Sequence, residues 1–266
     1  MTENIKKENI KNILEKSKSL KEAAASLLKK KINKRYYFSP FTDPLLESIY
    51  SKEYNNYFAH RLKSYKTTLE NFLKHSDFIN KPGTFLELGC GSGLFLGLLS
   101  KHCPNNSNVS LYGIDISEEM LNLAKKNLAK FKASNINLIL GDITKLKQLC
   151  KKLRIKPRYI FSLNVIHQIK NIKKLIADAY DILDDDGIIY FETIIRDSDW
   201  RKKKRRLLHL LEENPSLFIE RFKGHLSAPS KKELIKILEE LKLNYNSFIS
   251  KRYAYLDETF TIIIKK

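Results

Sequence analysis

The chain has 266 residues, 42% of them hydrophobic, and carries a formal net charge of +19 from 49 Lys and Arg against 30 Asp and Glu. That length buries one large core with a smaller appendage, and no apolar run is long enough to span a membrane. The first residues lack the continuous apolar core of a secretory signal. The three cysteines (Cys90, Cys103, Cys150) have no metal-type spacing, so a disulfide framework and a metal site are both disfavoured and the cytoplasm is the expected compartment.

Residues 1–34 read as a basic, partly amphipathic helix, and residues 1–35 carry 11 Lys/Arg against 4 Asp/Glu. Pro40 and Pro44 break that pattern. From Leu45 to about Ile79 a second helical segment follows, dense in aromatics: Tyr50, Tyr54, Tyr57, Phe58, Tyr65 and Phe72. Packing of helices onto a sheet accounts for most of these rings. Residues 1–80 are thus expected as a helical cap ahead of a core over 81–266.

Phe85, Leu86 and Leu88 supply a short apolar strand, and Leu94 to Leu99 read as a helix. Between them lies Glu87-Leu88-Gly89-Cys90-Gly91-Ser92-Gly93. Glycine at every second position lets the backbone turn sharply and approach a ligand with no Cβ in the way. The first helical N–H groups point into such a turn, so a nucleotide-like cofactor is expected. A dinucleotide fingerprint would need its third glycine at Leu94 or Leu96, which argues against NAD. Cys90 needs only to be small here, since no general base is evident beside it.

Val109 to Ile114 form the next predicted strand, ending at Asp115, which lies 115 − 93 = 22 positions past Gly93. An acid at that place is set to accept hydrogen bonds from ribose hydroxyls. Ser117 reads as an N-cap, with Glu118 and Glu119 in the first turn of a helix to about Phe131. Ile136 to Leu140 form a third strand, followed by Gly141-Asp142. Strands at Tyr159–Val165 and Ile188–Thr193 flank a helix at Lys173–Leu183, with a turn at Asp184 to Gly187. After an insertion at Arg196–Ser230 come a helix at about Lys231–Leu241 and a hairpin, Phe248–Tyr255 and Thr259–Ile264, turning at Asp257-Glu258. This alternation predicts an α/β fold with a parallel sheet covered by helices on both faces.

The acid-x-Gly-x-Gly-x-Gly run, with acids after the second and third strands, resembles the class I S-adenosylmethionine (SAM) dependent methyltransferases over roughly Lys81 to Lys266. The resemblance implies a doubly wound, Rossmann-like seven-stranded sheet with an antiparallel last strand, capped by N-terminal helices that fold over the cofactor cleft. It also implies SAM held by Glu87, Gly89, Gly91, Gly93, Asp115, Ile116, Asp142, Ile143 and Asn164, with Asp142 at the adenine amino group. Tyrosines of the cap often line that cleft, which points to Tyr36, Tyr37 and Tyr54. The insertion over 196–230 is a candidate substrate lid, with Trp200 and His225 as acceptor-side residues.

Methyl transfer from a sulfonium is an in-line displacement, so alignment does much of the work. An amine needs little further help, whereas a hydroxyl or carbon acid needs a base. The run Asn164-Val165-Ile166-His167-Gln168-Ile169 puts His167 at the carboxyl edge of the sheet, and Glu192 lies near the end of the neighbouring strand. The pair is similar to the histidine and glutamate of polyketide carbon methyltransferases, and more loosely to quinone-biosynthesis methyltransferases. His167 is then the base and Glu192 its orienting carboxylate; the alternative is a histidine that only shapes the pocket. No Asn/Asp-Pro-Pro-aromatic tetrad and no Pro-Cys pair follows the fourth strand, which disfavours base-amine and cytosine carbon-5 methylation. The expected acceptor is an oxygen or carbon of a small molecule or carrier-bound intermediate. Ten of the 49 cations are Arg and 49 − 10 = 39 are Lys, a bias that an A/T-rich coding sequence produces. The basic first helix and the run Arg201 to Arg206 keep open an RNA or protein methyltransferase that docks through its charge. A non-catalytic SAM-binding subunit is the third reading.

Overall fold

Near-continuous apolar runs such as Phe85–Leu88 and Tyr159–Leu163 belong in a sheet covered on both faces, because neither side of such a strand tolerates water. The computed structural model describes residues 58–103, 109–133, 135–195, 228–251 and 258–266 and builds that sheet. Its strands are β1 (Phe85–Leu88), β2 (Leu111–Asp115), β3 (Ile136–Leu140), β4 (Tyr159–Leu163), β5 (Ile188–Ile194), β6 (Tyr245–Lys251) and β7 (Glu258–Lys265). They lie in the order β3-β2-β1-β4-β5-β7-β6. Strands β1 to β5 pair in parallel, and β7 runs antiparallel to both β5 and β6. The chain winds outward from β1 to β3 and returns to β4 on the other side of β1. A crevice opens at the carboxyl ends of the strands at that reversal.

The described helices are α1 (Phe58–Ser76), α2 (Leu94–Ser100), α3 (Glu118–Phe131), α4 (Leu146–Leu153), α5 (Ile172–Ile182) and α6 (Lys231–Glu240). Two cores result. An aromatic layer on one face joins Phe72, Phe85, Phe95, Phe161 and Tyr190, and an aliphatic layer on the other joins Leu86, Ile160, Ile189, Phe191 and Leu234. Phe72 of α1 is fully buried, with its ring 5.5 Å from Phe85, 5.8 Å from Phe161 and 5.7 Å from Tyr190, each near edge-on. That is a favourable arrangement for ring quadrupoles. The later part of the aromatic-dense segment therefore packs onto the sheet, as its composition predicts. Along β5 the side chains alternate, Tyr190 to the aromatic layer and Phe191 to the aliphatic one. Continuing that period of two puts Glu192 on the aromatic side and Thr193 on the aliphatic side.

Local signals hold where the chemistry is explicit. The Ser117 hydroxyl accepts from the Met120 N–H at 3.2 Å and starts α3, and Ser230 with Glu233 forms a reciprocal capping box on α6. Elsewhere the boundaries move. The fourth strand stops at Leu163 rather than Val165, because Asn164 turns left-handed at φ 56°. The sixth begins at Tyr245, three residues before Phe248, since polar Asn246 and Ser247 are tolerated on an edge strand and hide the pattern. Glu258, expected in the hairpin turn, opens β7 opposite Lys251. Helix α4 has no counterpart among the predicted elements. Among the described residues no helix is long and apolar enough to cross a membrane, and no group of three or more His, Cys, Asp or Glu is placed to hold a metal.

Candidate active site

The turn after β1 needs residues that accept a left-handed backbone, and it has them. Gly89, Gly91 and Gly93 take φ of 70°, 51° and 71°. The Gly89 and Cys90 N–H groups both donate to the Ile114 carbonyl of β2, at 2.8 and 2.9 Å, pinning the turn to the sheet. Space enforces glycine as well: a Cβ on Gly89 would stand 2.4 Å from Cγ2 of Val165, and one on Gly113 would stand 2.8 Å from Sγ of Cys90. Asn127 of α3, buried, donates from Nδ2 to the Ser92 carbonyl at 3.1 Å. Sequence reasoning missed this residue, because one asparagine inside an amphipathic helix carries no visible signal.

Asp115 ends β2 with its carboxylate buried. Oδ2 accepts from the Gly91 N–H at 2.8 Å and Oδ1 from the Ser117 N–H at 3.0 Å. Each oxygen has a second lone pair for a further donor. Burial raises its carboxyl above the usual range, against the pull of those backbone N–H groups. Asp142 caps the short turn Ile143–Lys145 by accepting from the Thr144 N–H at 2.8 Å. Between these acids, Ile116 and Leu140 expose aliphatic surface at the strand ends (51% and 56%), while Ile143 is buried.

Glu87 points into the aromatic side of the same edge. It is almost wholly buried, and its Oε2 has no hydrogen-bond partner. Burial, and then the nearby Asp115 charge, push its carboxyl well above its usual value. The same causes, with Glu87 second after burial, hold the Cys90 thiol well above its usual value, so it stays protonated and is no nucleophile. Folding favours the protonated form of Glu87. Its contribution to stability is full below the unfolded carboxylate value and is lost as pH rises through the folded one. Glu87→Gln is therefore expected to share the wild-type urea midpoint at a pH below the unfolded carboxylate value and to unfold at higher urea than wild type at neutral pH, both in the ligand-free protein.

His167 lies in a one-turn helix, Ile166–Gln168, directly after the left-handed Asn164, and is 5% exposed. Its Nδ1 is 3.4 Å from the Thr193 hydroxyl. The Asn164 N–H donates to the Glu192 carbonyl at 2.8 Å, and the Asn164 Oδ1 is buried with no partner. The Glu192 carboxylate, also buried, accepts from the Thr259 hydroxyl at 3.0 Å. The structure thus brings His167 to Thr193, while Glu192 joins Thr259 on the opposite side of β5. Thr193 was not legible in the sequence, since a threonine in a buried strand is ordinary. Tyr36, Tyr37, Tyr54, Trp200 and His225 lie outside the described residues, as do the basic first helix, the run over 201–206 and most of the insertion.

A doubly wound sheet with a reversed final strand, a triple-glycine turn and acids at the ends of β1, β2 and β3 defines a class I SAM-dependent methyltransferase. Residues 57–247 match the family described as "Methyltransferase domain", and the chain belongs to that family. It is similar to a tRNA (guanine-N(7)-)-methyltransferase of Clostridium beijerinckii, 28% identical over 58% of this chain and 70% of that one. It is also similar to malonyl-[acyl-carrier protein] O-methyltransferase 1 of Ilyobacter polytropus, 32% identical over 54% of this chain and 48% of that one. The curated relatives are matched over about a third to seven tenths of their own length. Among solved structures, the plantazolicin methyltransferase BamL, crystallised with a desmethylplantazolicin analogue and S-adenosylhomocysteine (SAH), shares the fold. Its TM-score is 0.63 at 16% identity, over 92% of this chain and 97% of that one.

The residues present fit the cofactor. SAM carries two positive charges, a sulfonium and an ammonium. The orphaned Oε2 of buried Glu87, beside Asp115, belongs to a carboxyl that burial discourages from ionising and that no ion pair among the described residues satisfies, so a cationic ligand would supply the missing counter-charge. The left-handed glycine turn leaves Gly89 and Gly91 partly exposed, with no side chain between their backbone and a ligand.

Proposed function

We propose that the protein methylates an oxygen or carbon atom of a small molecule or carrier-bound biosynthetic intermediate, with His167 as the base. The observation that carries this reading is a buried imidazole at the carboxyl edge of β4, beside Asn164 and bonded to Thr193. An amine or an acceptor that is already ionised has little use for such a group, whereas a hydroxyl or a carbon acid must lose a proton. The cofactor supplies an activated methyl group. The chain's own residues hold it through the glycine turn, Glu87, Asp115 and Asp142, align the acceptor, and take the acceptor's proton at His167. Glu192, fixed by Thr259, contributes a carboxylate on the aromatic side of the cleft. Tyr36, Tyr37, Tyr54, Trp200 and His225 are the candidate acceptor contacts of the cap and insertion. The similarity to a malonyl-carrier O-methyltransferase supports a carrier-bound intermediate as the first acceptor class to try; an ionised carboxylate on it needs no base, so only a hydroxyl or carbon acid there calls on His167.

Two observations favour a second reading. The net charge is +19, and several curated relatives carry the name tRNA (guanine-N(7)-)-methyltransferase. Guanine N7 already has a free lone pair, so that reading leaves His167 without a base's task. Calorimetric titration with SAM, SAH and NAD, followed by a labelled-methyl screen of carrier-bound acids and metabolites against total tRNA, separates the readings. Binding of the two sulfur nucleosides but not NAD, with label on a small or carrier-bound acceptor, is the expected result. Label on tRNA, with binding that weakens steeply as salt rises, would establish the second reading instead.

A further inference from the structure

We infer that Thr193, on β5, sets the tautomer of His167 and leaves its Nε2 as the proton-accepting nitrogen. This role for Thr193 rests on the reading of His167 as a base and follows from where the few available hydrogens can go. A threonine hydroxyl has one proton to give and two lone pairs to receive with. Thr193 is fully buried, so water does not compete for either. Its hydroxyl lies 3.3 Å from the Ile194 carbonyl oxygen and 3.4 Å from Nδ1 of His167. The carbonyl accepts only, so both contacts are made together only when the hydroxyl proton goes to it. Toward the ring, the hydroxyl then accepts, and Nδ1 must carry the hydrogen. In a neutral imidazole with Nδ1–H, Nε2 is the unprotonated nitrogen, because the bond made by one ring nitrogen decides the state of the other.

This assigns to Thr193 the orienting task that the sequence gives to Glu192. Adjacent residues of one strand project to opposite faces. Glu192 stands with Tyr190 and Thr259 on the aromatic side, whereas Thr193 faces the layer on which the His167 turn rests. The sequence could not separate the two, because both lie at the end of the same strand and only the carboxylate looks like a partner for histidine. Thr193 is a positioning residue in this scheme: it acts on the acceptor only through the ring.

The test reads the ring directly. Long-range 1H–15N spectra of protein labelled at histidine, at a pH where the ring is neutral, distinguish a protonated from an unprotonated ring nitrogen, and His167→Gln assigns the signals. Wild type and Thr193→Ser are expected to show Nδ1 protonated and Nε2 bare. Thr193→Val, or Thr193→Ala should the valine variant fail to fold, is expected to shift the ring toward the Nε2–H form. It should also lower kcat about tenfold with KM for the cofactor unchanged, a part of what a positioned base supplies. A wild-type ring protonated at Nε2 overturns the inference, and so does an Nδ1–H signature that persists without the hydroxyl. If His167→Gln keeps full turnover, the base reading fails by itself while the spectra still decide the tautomer.

Discussion

Gly89→Ala is expected to cost the protein both stability and its cofactor. The residue sits at φ +70°, and the added methyl would stand 2.4, 2.8 and 3.1 Å from the three branching carbons of Val165. Holding a non-glycine residue in that conformation and overpacking the contact together cost roughly 3 kcal/mol. The loop has few ways to relax. Its N–H groups at Gly89 and Cys90 are fixed to the Ile114 carbonyl, and Val165 precedes the turn that carries His167. Yielding at Val165 therefore displaces the imidazole, and yielding at Gly89 displaces the cofactor turn. Chemical denaturation and SAH titration of the same preparation would both report the change. A variant as stable as wild type with undiminished SAH affinity would show that the turn is wider than its geometry indicates.

His167→Gln is expected to lower kcat by about 10² to 10⁴ on an oxygen or carbon acceptor, the range of a positioned general base, with SAH affinity close to wild type. The separation of the two readouts matters, because glutamine keeps a polar group of similar length in a site with no room for a change of volume. The ring is 5% exposed. An acceptor that ionises unaided would show little loss, so a small effect on a phenolate and a large one on an aliphatic hydroxyl would still be the signature of a base. Full activity on every acceptor would reduce His167 to a wall of the pocket.

The glycine turn and the acids at the strand ends were legible because their requirements are local. A turn that needs positive φ at Gly89, Gly91 and Gly93 has to be written in glycine, and Asp115 and Asp142 stand where a strand ends, which hydrophobic runs mark well. Ser117 announces α3 through a hydroxyl at the N-cap position. The acceptor half depends on which face of the sheet a side chain meets, and that is set by register between distant segments. Glu192 and Thr193 differ by one position and go to opposite sides of β5. Asn127 reaches back 35 residues to the Ser92 carbonyl, a bond with no local trace. Helix α4 was missed because its eight residues are too few to declare a period, although Leu146, Leu149, Cys150 and Leu153 stand on helical spacing among three lysines.

The Asp115 carboxylate has a bearing on how variants of this family member are read. One oxygen fastens the glycine turn at Gly91 and the other fastens the start of the next turn at Ser117. The side chain is a rivet between two loops before it is a contact for any ligand. Truncating it to alanine would let both loops drift, so a lost affinity would measure collapse of the frame and the absent ligand contact in one number. Asparagine in its place keeps one oxygen and releases one loop only, which makes Asp115→Asn the substitution that separates architecture from recognition.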